Sequence, residues 1–232
     1  MRLIVEEAFR ELFPDAVIGI VVATGIDNRR AGDEAQALLA AATTAAIGDS
    51  DLATSPPVAV WRDAYRRFGL KPSRYRAGIE GLLRAARGDG VRSVSPLVDL
   101  YNAVSLRHLL PCGGEDLAAI EGDIRLTRAT GTEPFVPLGA VDNLPPEPGE
   151  VIYADDLGVI CRAWNWREAE RTKLTPETTR AVLVIEALPP RTTAEVQSAC
   201  EDLAALVSAH LAAQCRVSLL GRQSAWETSL DA

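Results

Sequence analysis

The residues most able to do chemistry stand together in the stretch CRAWNWREAERTKLT, residues 161–175. A predicted strand over residues 159–163 leads into the run Trp164-Asn165-Trp166-Arg167. In period-2 geometry the two indoles face one way, and the amide and guanidinium face the other. Indoles stack on rings and bases, whereas Asn and Arg bind amides, carboxylates and phosphates. The tryptophans could instead cap the core, but their alternation with Asn165 and Arg167 favours a pocket wall that binds the polar end of a ligand.

A second candidate is Glu186, which ends the apolar run VLVIE at residues 182–186. Alternation places Glu186 on the same face as Val182 and Val184, with Leu183 and Ile185 on the other. A carboxylate in line with two buried valines points into the interior or into a cleft. That position is uncommon for a glutamate that only solvates the surface.

A third group lies on a helix predicted to begin at Pro96, with Ser95 as its N-cap. At about 100° per residue, Asn102 and Ser105 fall on the flank of the apolar face. A partly buried amide must find hydrogen-bond partners there. Two roles stay open for Asn102: a structural bond to a neighbouring loop, or a contact to a ligand.

Several common catalytic motifs are absent from the sequence. It has no GxSxG elbow, no GxxxxGK[ST] phosphate loop, no HExxH and no dinucleotide-binding glycine fingerprint. His108 lies on an apolar helix face, which favours a core or half-buried role. With two histidines in the chain and no CxxC pair, we expect no metal site, no cofactor and reduced cysteines. Any catalysis would then depend on positioning and polar contacts.

The first residues, MRLIVEEAFRELFP, lack the basic and apolar regions of a signal peptide. No stretch reaches the ~18 consecutive apolar residues of a membrane span. We therefore expect a cytoplasmic protein with no membrane partner.

The charge is unevenly distributed. The chain carries a net charge of −8, yet residues 61–92 hold nine Lys and Arg against three acidic residues, a local balance of +6. Such a surface suits nucleic-acid phosphates, and the expected contacts are Arg62, Arg66, Arg74 and Arg76. The alternative is a solvated pair of helices.

The elements that must position these residues indicate an α+β protein. A buried strand is predicted at residues 16–23, and Ala-rich helix at 29–47. Three helices follow between residues 61 and 109, with Ser73 as the expected cap of the second. Residues 124–188 are rich in strand signals, including a hairpin at Asp156-Leu157-Gly158, and a capping box at Thr192 opens a last helix.

Separate runs of helices and strands predict a β-rich, sandwich-like core flanked by helices. The 232 residues allow one large domain or two small ones. The segments after the break at Ser55-Pro56-Pro57 show no independent repeat, so we expect a single domain over residues 1–232.

Four stretches together resemble a known family. SPLVDLYNAVSLRHLLPCGGEDL, GDIRLTRATGTEPFVPLGAVDNL, EVIYAD and TPETTRAVLVIEA follow in the same order as motifs of the B-three/B-four editing module of the phenylalanyl-tRNA synthetase beta chain. The resemblance covers about residues 55–190 and implies that module's fold. The rest of a synthetase is absent, so the chain resembles a free-standing module.

The resemblance implies roles for particular residues. The family's Asn matches Asn102, the Thr before it matches Tyr101, and the Glu that closes the late strand matches Glu186. The family's His falls at Gly113, so that side chain is missing, and the backbone of Gly113 and Gly114 would offer N–H groups to a ligand.

The family module deacylates tRNA mischarged with tyrosine. The resemblance therefore implies a trans-editing hydrolase, an aminoacyl-tRNA deacylase that uses a positioned water, with tRNA or aminoacyl-tRNA as partner. A rival is a non-catalytic module that binds tRNA, a free amino acid or a small metabolite, and a third is an interaction domain with a vestigial pocket. The expected catalytic residues are Glu186 and Asn102, and the expected ligand contacts are Tyr101, Ser105, Gly113, Gly114, Trp164, Asn165, Trp166 and Arg167.

Overall fold

Two β-sheets face each other, with helices at their edges and on one outer face. The computed structural model describes residues 1–48 and 51–231. The larger sheet has the strand order β10 (Glu227–Ser229), β1 (Arg2–Val5), β4 (Ile124–Arg128), β5 (Val151–Ala154), β6 (Val159–Arg162) and β7 (Arg167–Glu168). The smaller sheet has the order β3 (Cys112–Asp116), β8 (Arg180–Ala187), β2 (Val17–Thr24) and β9 (Gln214–Gly221). The expected α+β fold with a β-rich centre is confirmed.

The helices are α1 (Glu7–Arg10), α2 (Gly32–Ala45), α3 (Pro56–Arg67), α4 (Gly78–Arg87), α5 (Pro96–His108) and α6 (Thr193–Leu211). The capping box expected at Thr192 is present, with the Thr192 hydroxyl accepting from the Glu195 N–H and the Glu195 carboxylate accepting from the Thr192 N–H. Pro96 opens α5 as expected, but Ser95 makes no capping bond. The Asp99 carboxylate instead accepts from the Val94 N–H at 2.9 Å.

The smaller sheet separates two cores. Strand β8 pairs antiparallel with β2 along its whole length, from Val17 opposite Ala187 to Thr24 opposite Arg180. Leu183 and Ile185 pack in the core with α5 and α6. The residues on the other face of β8, Val182, Val184 and Glu186, line a cavity between the two sheets. The alternation predicted from VLVIE is therefore confirmed.

Two local predictions were wrong, and one strand was not predicted. Helix α4 begins at Gly78 rather than just after Ser73, because the Gly78 N–H donates to the Asn165 carbonyl at 2.9 Å, so its start is set by a contact far away in sequence. The residues after Pro111 form the edge strand β3, which the sequence analysis did not predict. Residues 163–166 form a turn between β6 and β7, whereas we expected a continuing strand.

Arginines of the basic window form ion pairs within the fold. Glu80 on α4 is 1% exposed. The Arg62 guanidinium donates to it at 2.7 and 3.0 Å, and Arg84 donates to it at 3.0 Å. Arg66 pairs with Asp63. Arg62 joins α3 to α4, whereas Arg66 pairs within α3 and Arg84 within α4. Asp63 and Glu80 are already counted in the balance of +6, so these pairs leave that balance unchanged.

All four cysteines are free, and His108 is half-buried with its ring nitrogen 3.0 Å from Asp202. Across the described residues, no helix combines the length and the apolar character needed to cross a bilayer.

The packing of α6 on β2 yields a stability prediction. A Cβ at Gly19 would lie 2.3 Å from the Cys200 Sγ and 2.8 Å from the Val196 Cγ1, so Gly19→Ala should destabilise the protein by about 1–3 kcal/mol through overpacking. The same change at Gly32, where a Cβ meets only the Pro96 ring at 3.9 Å, should change stability by less than about 0.5 kcal/mol. Urea unfolding of both variants measures the difference, and equal stabilities would contradict this account of the packing.

Candidate functional site

A cavity of about 520 Å³ lies between the two sheets. Its floor comes from Leu3, Ile124 and Tyr153 of the larger sheet and from Val182 and Val184 of the smaller one. Helices α4 and α5 and the turn at residues 163–166 form its walls. The volume is within the range of small-molecule sites.

Most of the residues selected from the sequence meet at this cavity. The lining includes Tyr101, Asn102, Gly113, Gly114, Trp164, Asn165, Trp166, Arg167 and Glu186, together with Arg76 from the basic window. Ser105 does not line it, because its hydroxyl donates to the Leu110 carbonyl at 2.5 Å inside the core. The other expected phosphate contacts, Arg62, Arg66 and Arg74, also lie outside the lining.

Both carboxylate oxygens of Glu186 are hydrogen-bonded within the cavity. The residue is 3% exposed, and its two oxygens accept from the Tyr153 hydroxyl at 2.6 Å and from the Asn165 amide at 2.7 Å. The Asn165 carbonyl oxygen in turn accepts from the Tyr65 hydroxyl at 3.0 Å. Asn165 therefore orients the carboxylate. It also lines the cavity, and the expected contact between Asn165 and a ligand stays a prediction.

Burial controls the ionisation of Glu186. Loss of solvation raises its pKa from 4.5 to about 7, and the hydrogen bonds from Tyr153 and Asn165 limit that rise. The Trp164 indole N–H also faces this carboxyl group and lowers its pKa, although it makes no hydrogen bond of normal geometry. Glu186 therefore titrates near neutral pH.

The turn that carries Asn165 is strained. Ala163 and Trp164 have φ values of 48° and 65°, in the left-handed region, which costs about 1–2 kcal/mol per residue. The Trp164 ring is fully buried, with its centroid 4.8 Å from those of Phe9, Phe13 and Trp61. The Trp164 N–H also donates a hydrogen bond to the Val151 carbonyl at 2.7 Å, which ties the turn to β5. Packing of the indole therefore overrides the strand alternation that the sequence predicted.

Trp166 remains at the edge of the cavity. Its ring meets Tyr75 edge-on at 4.7 Å, and the Arg167 guanidinium lies 5.3 Å over it. The two tryptophans therefore have different environments, one in the core and one at the cavity edge. Arg76, which also lines the cavity, reaches Glu80 at 3.9 Å and remains 46% exposed.

Two further carboxylates line the cavity that the sequence did not single out. Glu168 on β7 accepts from the Gly114 N–H at 3.3 Å, and burial raises its pKa to about 7. Glu115 on β3 is 6% exposed, its Oε2 has no hydrogen-bond partner, and burial with the nearby charge of Glu168 raises its pKa well above the usual range. Because Glu115 lies opposite Val182 in the sheet, its position follows from pairing of β3 with β8. The sequence alone gives no signal for that pairing.

Asn102 is half-buried, and its amide makes no hydrogen bond to any described residue. Its donor and acceptor are therefore available to a ligand, which favours the second of the two roles left open for it. Within residues 1–48 and 51–231, no group of three or more His, Cys, Asp or Glu side chains is arranged to hold a metal ion.

Comparison with known proteins shows the family of this chain. The model of the B3/4 domain matches residues 60–208, which is more than half of the chain. The crystal structure of an N-terminal fragment of the phenylalanyl-tRNA synthetase beta-subunit from Pyrococcus horikoshii has a TM-score of 0.47 and 15% identity, over 92% of this chain and 50% of that chain. This chain thus spans about half the length of that fragment. No curated protein matches the sequence.

The raised pKa of Glu186 makes stability depend on pH. The folded state binds the proton more tightly than the unfolded state, so stability falls as pH rises from 4.5 to about 7. The shift corresponds to about 3 kcal/mol. Glu186→Gln should remove this loss. Between pH 4.5 and pH 8, the free energy of unfolding of the variant should therefore rise by about 3 kcal/mol relative to that of the native protein.

Urea unfolding at both pH values measures this difference. Glu11→Gln, at an exposed glutamate outside the cavity, serves as the control and should leave the pH dependence unchanged. An identical pH dependence in Glu186→Gln and native protein would show that Glu186 is not buried as a carboxylate.

Proposed function

Because the chain belongs to the B3/4 domain family, we propose that it binds the aminoacyl end of tRNA in the cavity and hydrolyses the ester of mischarged aminoacyl-tRNA. Membership of the family confirms the resemblance indicated by the ordered sequence motifs. The hydrolysis and the tRNA partner are the proposal.

The observation that carries the proposal is the fixed carboxylate of Glu186 beside an unpaired amide. Glu186 is held by Tyr153 and Asn165, while the side-chain amide of Asn102 has no partner among the described residues. An aminoacyl ester carries an ammonium group, which suits a buried carboxylate, and a carbonyl oxygen, which suits an amide donor. The cavity offers both groups in one enclosed volume.

The chemistry needs little beyond this arrangement. The ester that joins an amino acid to tRNA is already activated, so an oriented water and a donor to the developing oxyanion are sufficient. In this scheme Glu186 holds the amino acid and the Asn102 amide donates to the carbonyl oxygen. Tyr101 and Trp166, at the walls, limit which side chain fits.

Two arginines at the cavity suit the charged part of a tRNA. Arg76 and Arg167 both line it, and Arg167 is exposed. Guanidinium groups bind phosphate oxygens in bidentate geometry. The other charged groups that line the cavity are carboxylates. The two arginines therefore favour a ligand that places a phosphate at the cavity edge and an ammonium group within the cavity.

A binding module without catalysis is the second candidate function. The commitment of Arg62, Arg66 and Arg84 to acidic partners weakens the case for a large nucleic-acid surface. The same cavity would then hold a free amino acid, with its ammonium at Glu186 and its carboxylate near Arg76 or Arg167.

Deacylation assays on a panel of mischarged tRNAs separate these functions. We expect the native protein to hydrolyse at least one member, and Asn102→Ala to lower kcat/KM about tenfold or more through loss of a hydrogen bond to the reacting ester. Gln223→Ala removes an exposed amide outside the cavity and should leave kcat/KM unchanged. If no member is hydrolysed while free amino acids raise the Tm, the non-catalytic module is correct.

The role of the cavity arginines is tested by salt dependence. Arg167→Gln and Arg76→Gln should each weaken tRNA binding and reduce the slope of log K against log salt by about 0.7–0.9, the value for one phosphate contact. Arg222, which pairs with Asp15 and does not line the cavity, provides the control variant Arg222→Gln. Unchanged slopes in the first two variants would place the tRNA elsewhere on the protein.

A further inference from the structure

We propose that Glu168 is the general base of this hydrolysis, with its carboxylate set over the space that Gly113 leaves open. The inference rests on the proposed function and assigns the proton transfer within it. Glu168 was not among the residues selected from the sequence.

The backbone fixes the position of Glu168. Strand β7 has only two residues, but Glu168 lies opposite Cys161 of β6, and its carbonyl accepts from the Leu138 N–H at 2.9 Å. The chain is thus held on both sides, and the side chain is directed across the cavity towards β3.

The Glu168 carboxylate lies close to the backbone of Gly113 and Gly114. The Glu168 Oε1 accepts from the Gly114 N–H at 3.3 Å, and a Cβ on Gly113 would lie 3.1 Å from the same oxygen. That distance is tighter than ordinary contact, so a side chain at position 113 would push the carboxylate away. Gly113 faces the cavity and lies opposite Val184, two residues along β8 from Glu186. The two carboxylates therefore approach the cavity at places roughly 7 Å apart along the strand.

Among the cavity carboxylates, Glu168 is the most available for proton transfer. Both oxygens of Glu186 accept hydrogen bonds from protein donors. Glu115 is almost completely buried. Glu168 is half-buried, has one long bond to a backbone N–H, and has a second oxygen with no partner among the described residues. A base must accept a proton from water, and this second oxygen can do so.

The surroundings keep Glu168 titratable near neutral pH. The ionisable groups that face it are Glu115 and Cys112 on β3, Cys161 on β6 and Tyr101 on α5, and burial raises the pKa of each of the four. None of them is a cation. Arg167, its chain neighbour, is exposed and stacked on Trp166. Burial therefore dominates and sets the pKa of Glu168 to about 7, where a base is both ionised and able to take a proton.

The step balances without a further reactant. Glu168 takes one proton from water while the water oxygen bonds to the ester carbonyl carbon. The tetrahedral intermediate then breaks its bond to the ribose oxygen, and protonated Glu168 returns the proton to that oxygen. The products are the free amino acid and tRNA with a free terminal hydroxyl group.

The experiment measures kcat and KM of deacylation from pH 5.5 to 8.5, after subtraction of the rate without protein. We expect the kcat of the native protein to rise with pH through an inflection near 7. Glu168→Gln should lower kcat at least 100-fold, change KM less than twofold, and lose that inflection. Glu201→Gln, at an exposed glutamate on α6 outside the cavity, is the matched control and should match the native profile.

Gly113→Ala provides a second variant, because it leaves Glu168 in place but crowds its oxygen. We expect a lower kcat with an unchanged KM. If Glu168→Gln keeps the inflection, or loses less than fivefold in kcat, the base role is overturned while the hydrolysis stands. If the native protein hydrolyses no aminoacyl-tRNA in the panel, the proposed function and the base role both fall.

Discussion

The burial of the Glu186 carboxyl group without a cation is the constraint that organises this structure. An uncompensated buried carboxylate costs several kcal/mol, so the surrounding groups must supply donors. Tyr153 from the larger sheet and Asn165 from the turn provide them, and Tyr65 fixes Asn165 from α3. Both sheets and a helix thus converge on one side chain. Their relative placement satisfies the hydrogen-bonding needs of this carboxyl group.

The strain of the neighbouring turn follows from the same requirement. Asn165 reaches Glu186 only because the preceding residues, Ala163 and Trp164, adopt left-handed conformations. The burial of the Trp164 ring against Phe9 and Trp61 offsets that cost. An aromatic cluster that extends from the cavity wall into the core therefore positions a polar group inside the cavity. Local strain supported by the surrounding packing is frequent at functional sites.

Local periodicity in the sequence correctly predicted the positions of side chains within one helix or strand. It did not predict the positions that depend on pairing between strands distant in the chain. The alternation in β8 placed Glu186 correctly, and the helix wheel placed Asn102 at the cavity. Ser105 was also predicted on the flank of the apolar helix face, but its hydroxyl donates to the Leu110 carbonyl and it does not line the cavity. Glu115 and Glu168 line the cavity because β3 pairs with β8 and β7 pairs with β6. Neither pairing has a signature in the sequence.

Burial gives Glu186 and Glu168 the same pKa of about 7, yet their hydrogen bonds suit them to different tasks. Glu186, saturated by two side-chain donors, keeps one orientation and can select what binds. Glu168 has one weak backbone donor and can take up and release a proton with little rearrangement. Desolvation therefore sets when each group ionises, and the number of donors sets what it can do. In the proposed hydrolysis Glu186 holds the amino acid and Glu168 activates water, so neither task requires a histidine.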